Sequence, residues 1–168
     1  MSPYAEMALN NAYANRTVFG AIAGMNRAAF TAKRPGFFPS ICRTLNHIYE
    51  VDLFYIDALE EGGRGRSVYD RPDIEEVSEL AKAQSEADMR LAMFCQGEID
   101  LDRTVNVERK DLMTQEKIGA LVPHLFQHQI HHRGQAHVQI GEAGIAPPQL
   151  DDFFLEFERA PIAQEYFQ

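Results

Sequence analysis

Four long segments of the sequence carry apolar residues at three- and four-residue intervals, the spacing of one buried face of an α-helix. Breaker residues such as Lys33-Arg34-Pro35-Gly36 and Gly62-Gly63-Arg64-Gly65 separate them. We predict helices from Pro3 to before Lys33, from about Pro39 to Glu60, from Asp73 towards Gly97, and from about Thr114 to Gly141 or Gly144. Four antiparallel amphipathic helices predict an all-α four-helix bundle.

Local signals refine the helix boundaries. Ser2-Pro3 is a capping hydroxyl followed by proline at the first helical position, and Asp73 with Glu76 has the spacing of a capping box. Between Leu101 and Val107 a weak alternation is compatible with an extended loop or a hairpin. We also predict a short C-terminal helix from about Leu150 to Glu158 that closes one end of the bundle.

Composition limits the class of protein. The 168 residues fit a single domain spanning 1–168, and the net charge of −9 argues against a nucleic-acid or anionic-membrane binder. The beginning of the chain lacks a positive region followed by an apolar one, and no apolar run is long enough to cross a bilayer. Cys42 and Cys95 do not form a disulfide framework. We therefore expect a cytoplasmic protein with reduced cysteines.

Histidines carry the chemical signal. Of the six, five lie between His124 and His137 on the last predicted helix. At ~100° per residue, His124, His128 and His132 share one stripe, and the outer two are about 12 Å apart along the axis. Two imidazoles four residues apart can bind one metal ion, but three cannot. The pair is therefore either His124 with His128 or His128 with His132, and spacing does not choose between them.

A third ligand must come from another helix. His47 is the remaining histidine, and it borders the apolar face of the second predicted helix. Three neutral imidazoles suit zinc or nickel rather than magnesium or calcium, and they leave coordination positions open for water. Asp52 lies in the apolar stripe but about 140° around the helix from His47. We expect it to make a buried hydrogen bond or a dimer contact rather than to bind the metal.

Two known metal patterns are excluded. His128-Gln129-Ile130-His131-His132 resembles the zincin His-Glu-x-x-His motif, but Gln129 cannot act as the general base. A ferritin-like di-iron site needs Glu three residues before His, and no histidine here has one.

The stretch His128-Gln129-Ile130-His131-His132-Arg133-Gly134-Gln135, with a single histidine on an earlier helix, resembles the DinB family of metalloenzyme-like bundles. The resemblance extends over nearly the whole chain. It includes an Asn-rich first helix, the segment Leu45-Asn46-His47-Ile48 and the ending Pro147-Pro148-Gln149-Leu150-Asp151-Asp152-Phe153.

The resemblance implies which histidines bind the metal. It matches the family's ligands to His47, His128 and His132, and implies one divalent transition metal, nickel or zinc, and often a homodimer. Gln135 is a candidate for hydrogen bonding to a ligand or a metal-bound water. The roles of His124 and His131 stay open.

Three functions are compatible with this pattern. The first is a metal-dependent enzyme that activates a thiol or water towards a small molecule. Related proteins of the wider superfamily are thiol-dependent transferases and isomerases, which implies a low-molecular-weight thiol as a partner. The second is a non-catalytic, metal-stabilised stress-response bundle, and the third is a plain helical dimer. In the first, no residue beyond the metal ligands can be named as acid or base.

Overall fold

The computed structural model describes residues 1–150. Its elements are α1 (Pro3–Ala21), α2 (Arg27–Thr31), α3 (Ile41–Leu59), a 3-10 helix (Gly65–Asp70), α4 (Val77–Gln96), β1 (Thr104–Glu108), β2 (Met113–Lys117) and α5 (Ile118–Glu142). The four long helices pack around a common core, so the prediction of a largely all-α bundle is confirmed. The C-terminal helix predicted from Leu150 to Glu158 lies, beyond Leu150, outside the described residues.

The long helices run up, down, down and up. One apolar cluster joins the N-terminal halves of α1 and α5 to the C-terminal halves of α3 and α4, and a second cluster joins the opposite halves. The neighbouring helices α3 and α4 are therefore parallel, and the prediction that consecutive helices alternate in direction is wrong for this pair. The connection of residues 60–76, which contains the 3-10 helix, returns along the bundle between them.

A layer of buried polar side chains lies midway along the helices, between the two apolar clusters. Its members are Asn11 and Asn15 of α1, Asp52 of α3, Gln84 and Asp88 of α4, and Gln129 and Arg133 of α5. The Arg133 Nη1 atom donates to Asn11 Oδ1 at 2.5 Å and to Gln129 Oε1 at 3.0 Å. Gln129 and Gln84 both donate to Asp52 Oδ2. Each long helix contributes to this network, and Asp52 makes the buried hydrogen bond expected for it.

Two predicted helix starts are wrong, for identifiable reasons. α4 begins at Val77 instead of Asp73, because Asp73 accepts a hydrogen bond from Arg43 at 2.9 Å and the Ile74 N–H donates to Asn46 Oδ1 at 2.8 Å. These contacts hold the segment against α3. The predicted start of the last helix fails because residues 114–117 belong to β2, which pairs antiparallel with β1.

The hairpin and the end of α5 follow from local chemistry. Along β1, Val105 and Val107 are buried whereas Thr104 and Asn106 are exposed, the alternation of a half-buried strand. α5 ends at Glu142, and Gly144 has a φ of +77°, the left-handed cap that glycine favours. Within residues 1–150, no helix has the length and apolar character needed to span a membrane.

Candidate metal centre

Three histidines from two helices converge at the α3–α5 interface. His47 lies on α3, and His128 and His132 occupy successive turns of α5. One ring nitrogen from each lies within 4.8 Å of the others, and the Nε2 atoms of His47 and His128 are 3.1 Å apart. The structure thus brings His47 together with His128 and His132. His124 packs instead against Tyr55, with ring centroids 5.1 Å apart.

The Nδ1 atoms of two of these rings are hydrogen-bonded to oxygen atoms of neighbouring side chains. The Nδ1 of His47 is 3.2 Å from Glu50 Oε1, and the Nδ1 of His132 is 2.8 Å from Gln135 Oε1. An imidazole that donates from Nδ1 presents an unprotonated Nε2. This is the arrangement by which outer partners orient metal-binding histidines. The Nε2 atoms of His47 and His132 are accordingly the candidate donors.

Glu50 contacts Arg43 as well as His47. Glu50 is 8% exposed, and Arg43 Nη2 donates to its Oε1 at 2.5 Å. Burial alone would raise the pKa of Glu50, but the hydrogen bonds from His47 and Arg43 outweigh it and lower that pKa. An ionised Glu50 therefore contacts the Nδ1 side of the His47 imidazole.

Gln135 is positioned by His131. Its Nε2 is 3.1 Å from the Nε2 of His131, so the amide donates to one histidine while its oxygen accepts from the Nδ1 of His132. Gln135 was expected to hydrogen-bond a ligand or a metal-bound water. In the structure it contacts a candidate ligand, and His131 supports it.

The electrostatics of the cluster favour neutral imidazoles at His128 and His132. Burial, followed by the proximity of His132 and His47, lowers the pKa of His128 to about 3. Burial also lowers the pKa of His132, against its hydrogen bond to the Gln135 oxygen, which raises it. His128 and His132 therefore need not lose a proton at neutral pH before binding a cation.

An aromatic loop covers one side of the cluster. The ring of Phe38 lies 4.5 Å from His47 and 5.6 Å from His132, measured between centroids. Gln139, 1% exposed, donates to the Phe38 carbonyl at 2.8 Å and accepts from the Thr44 hydroxyl at 2.7 Å. This bridge fixes the loop between α2 and α3 against α5.

The loop passes Gln139 closely at Gly36. Its φ is +153°, and a Cβ atom there would lie 2.8 Å from Gln139 Nε2. Any larger residue would have to displace the amide that holds Phe38.

Sequence reasoning missed both Glu50 and Phe38. Glu50 had a visible signal, because it lies one helical turn after His47. Phe38 had none, since its approach to His47 depends on the distant Gln139 of α5.

The donor set fits a single divalent transition metal. Three imidazole nitrogens are a typical ligand set of catalytic zinc, with the remaining position open to solvent or substrate. Within the part of the chain that the structure describes, the cluster offers three candidate ligands. A three-histidine group that could hold a metal ion is thus present.

A family comparison covers nearly the whole chain. The model of the DinB family matches residues 1–164. The chain belongs to the DinB family. It is 25% identical to Protein DinB of Bacillus subtilis (strain 168) over 151 residues, covering 84% of this chain and 86% of that protein.

Two solved structures share the fold. A DinB-like protein from Bacillus cereus ATCC 10987 matches with a TM-score of 0.63 and 18% identity, over 82% of this chain and 90% of the other. A DinB-like protein from Bacillus subtilis matches with a TM-score of 0.61 and 20% identity, over 85% and 93% of the two chains. Both show that the bundle is the fold of DinB-like proteins.

Proposed function

We propose that this DinB-family protein binds one divalent transition metal, nickel or zinc, through the Nε2 atoms of His47, His128 and His132. The convergence of these three side chains is the observation that carries the proposal. Glu50 and Gln135 support it, because they engage the opposite nitrogens of two of the rings.

We further propose that the protein is a metal-dependent enzyme acting on a small molecule, as a thiol-dependent transferase or isomerase or as a hydrolase. The bound metal would supply a Lewis acid that lowers the pKa of a thiol or water. The chain's own contribution is to hold three imidazole donors and to shield one side of the site with Phe38. No side chain is assigned as acid or base.

Metal content tests the binding proposal. Protein produced without a polyhistidine tag is expected to contain close to one equivalent of nickel or zinc by mass spectrometry, and added metal should raise the melting temperature. The His47→Ala variant should lose this metal. Wild-type protein that holds less than about a tenth of an equivalent, with no shift on addition of metal, would refute the site.

A non-catalytic, metal-stabilised bundle is the alternative. X-ray absorption spectroscopy on the metal-loaded protein separates the two. A solvent ligand that a thiol displaces supports the enzyme, whereas a fourth protein ligand closing the coordination sphere supports a structural metal.

The homodimer implied by the family resemblance stays a prediction, which light scattering coupled to size exclusion tests. Cytoplasmic location also stays a prediction. It is supported by Cys42 and Cys95, which are both buried and free.

A further inference from the structure

A cavity of about 320 Å³ lies between α1 and α4, whereas the three histidines lie between α3 and α5. Its surface is mostly apolar, and the apolar side chains that line it include Phe19, Val77, Ala81 and Met89. Three members of the buried polar layer also line it, namely Asn15, Gln84 and Asp88. A cavity of this size, with apolar walls and a few converging polar groups, has the form of a small-molecule site.

The side-chain oxygen of Gln84 is an unused acceptor. The Nε2 atom of Gln84 donates to Asp88 Oδ1 at 3.0 Å and to Asp52 Oδ2 at 2.6 Å, which fixes the orientation of the amide. Its Oε1 is buried and has no hydrogen-bond partner among the residues that the structure describes. Buried side-chain oxygens are normally hydrogen-bonded, so this one indicates a donor other than the described side chains.

Asp88 also has acceptor capacity left. Its Oδ1 accepts from Gln84, from Asn15 at 2.9 Å and from Asn11 at 3.3 Å. Within residues 1–150, its Oδ2 accepts from Asn15 alone, at 3.1 Å. Each oxygen of an ionised carboxylate can accept at least two hydrogen bonds. The unused capacity at this cavity therefore belongs to acceptors, and a ligand that matches it must be a donor.

The charges of the buried polar layer favour a donor that is a cation. The layer contains two carboxyl groups, those of Asp52 and Asp88, but one guanidinium, that of Arg133. With both carboxyls ionised, one buried negative charge has no counter-ion, which is unfavourable. Burial accordingly raises the pKa of Asp88 to about 7, although hydrogen bonds from Gln84 and Asn15 and the charge of Arg133 oppose the rise. A cation beside Asp88 would balance the layer.

Arg16 also lines the cavity, and its charge would repel a cation. It is exposed, however, so water and salt screen its charge. Asp88 is 3% exposed, and charges interact more strongly in such a buried environment. The buried carboxyl therefore decides which charge the cavity favours.

We propose that the cavity between α1 and α4 binds a primary ammonium ion carried on an apolar ring system, with the ammonium at Asp88 and Gln84 and the rings against Phe19 and Val77. An ammonium has three N–H donors and no acceptor, which matches the unused oxygens. An apolar cavity of about 150 Å³ holds benzene, so a cavity about twice as large accommodates two fused rings. None of the candidate metal ligands lines the cavity, so the proposal does not depend on metal binding.

Two probes of equal size test the proposal. They are 1-naphthylmethylamine, which is cationic, and the neutral 1-naphthylmethanol, and calorimetric titration gives each dissociation constant. The titration is made at pH 8, where Asp88 is ionised because its pKa is about 7. The wild-type protein should bind the amine about tenfold more tightly than the alcohol, a ratio that corresponds to about 1.4 kcal/mol.

Variants and a crystal structure identify the group responsible. Asp88→Asn keeps the shape of the side chain and should abolish the preference for the amine, with its fold checked by urea unfolding. Glu86→Gln is the matched control, because it removes one negative charge from an exposed position of α4. It should keep the wild-type ratio. In crystals of the wild-type complex, the amine nitrogen should lie within hydrogen-bond distance of Asp88 Oδ2.

Four results would overturn the proposal. The first is failure of the wild type to bind the amine, as when a second copy of the chain covers the cavity. The second is equal binding of amine and alcohol, and the third is a ratio that persists in Asp88→Asn or an amine bound elsewhere in the crystals. The fourth is a ratio lowered as much in Glu86→Gln, which would show only a general attraction of cations to a protein with a net charge of −9.

Discussion

The Nδ1 atom of His47 lies 3.2 Å from Oε1 of Glu50, one turn further along α3. A buried carboxylate therefore contacts one of the three imidazoles of the candidate metal centre. Such outer partners fix the orientation of a histidine and increase its basicity as a ligand.

Replacing Glu50 should weaken metal binding without removing it. Loss of an outer partner typically costs 10–100-fold in metal affinity, so we expect roughly tenfold for Glu50→Gln and more for Glu50→Ala. Competition with a chromophoric chelator measures the change. Glu60→Gln is the control, because Glu60 pairs with Arg90 at the end of the same helix. An unchanged affinity in both Glu50 variants would contradict the orienting role.

His132 and His124 provide a second test, since each lies four residues from His128. His132→Ala should reduce metal affinity by more than the 10–100-fold expected for an outer partner, because it removes a donor atom. His124→Ala should leave metal affinity unchanged, as its ring contacts Tyr55. Calorimetric titration with zinc measures both. The reverse pattern would assign the metal to the other pair.

The Gln139 bridge should contribute measurably to stability. Gln139→Leu leaves the Phe38 carbonyl without its amide donor, whereas the Thr44 hydroxyl still donates to the Ser40 carbonyl at 2.9 Å. A buried unsatisfied group costs about 1–3 kcal/mol. We expect a lower free energy of unfolding in urea, with a loss of that order. Gln127→Leu, at an exposed position of α5, should change it little. Equal stability of the two variants would show that the bridge is not needed.

The buried layer should make stability depend on pH. Burial raises the pKa of Asp88 to about 7 from its ordinary value of 3.8. Between these two values the folded protein holds a proton that the unfolded chain releases, so the free energy of unfolding falls as pH rises. The loss ends above the folded pKa.

Asp88→Asn isolates this effect. The stability of wild type relative to Asp88→Asn should decline by a few kcal/mol from pH 4 to pH 8. Histidine titration is common to both proteins and cancels in the difference. Urea unfolding at several pH values measures it, with Glu86→Gln on the exposed side of α4 as the control. A constant difference across this range would refute the raised pKa.

Periodicity predicted the four long helices because each buries one apolar face. It did not predict the parallel α3–α4 pair or the start of α4. Both depend on contacts across the fold, such as the Asn46 side chain holding Ile74 in an extended segment. Spacing limited the candidate α5 ligands to two overlapping pairs, and the family resemblance chose between them. In the structure the ring of His132 lies 4.6 Å from that of His47, measured between centroids.

The mid-bundle polar layer also determines how α5 can sit. Gln129 and Arg133 immediately follow His128 and His132, and their partners lie on α1 and α3. If α5 were shifted by one turn, about 5.4 Å, the guanidinium of Arg133 would lie in an apolar cluster without its hydrogen-bond partners. The need to pair the buried charge of Arg133 thus fixes the position of α5 along the bundle. That position in turn places the imidazoles of His128 and His132 next to that of His47.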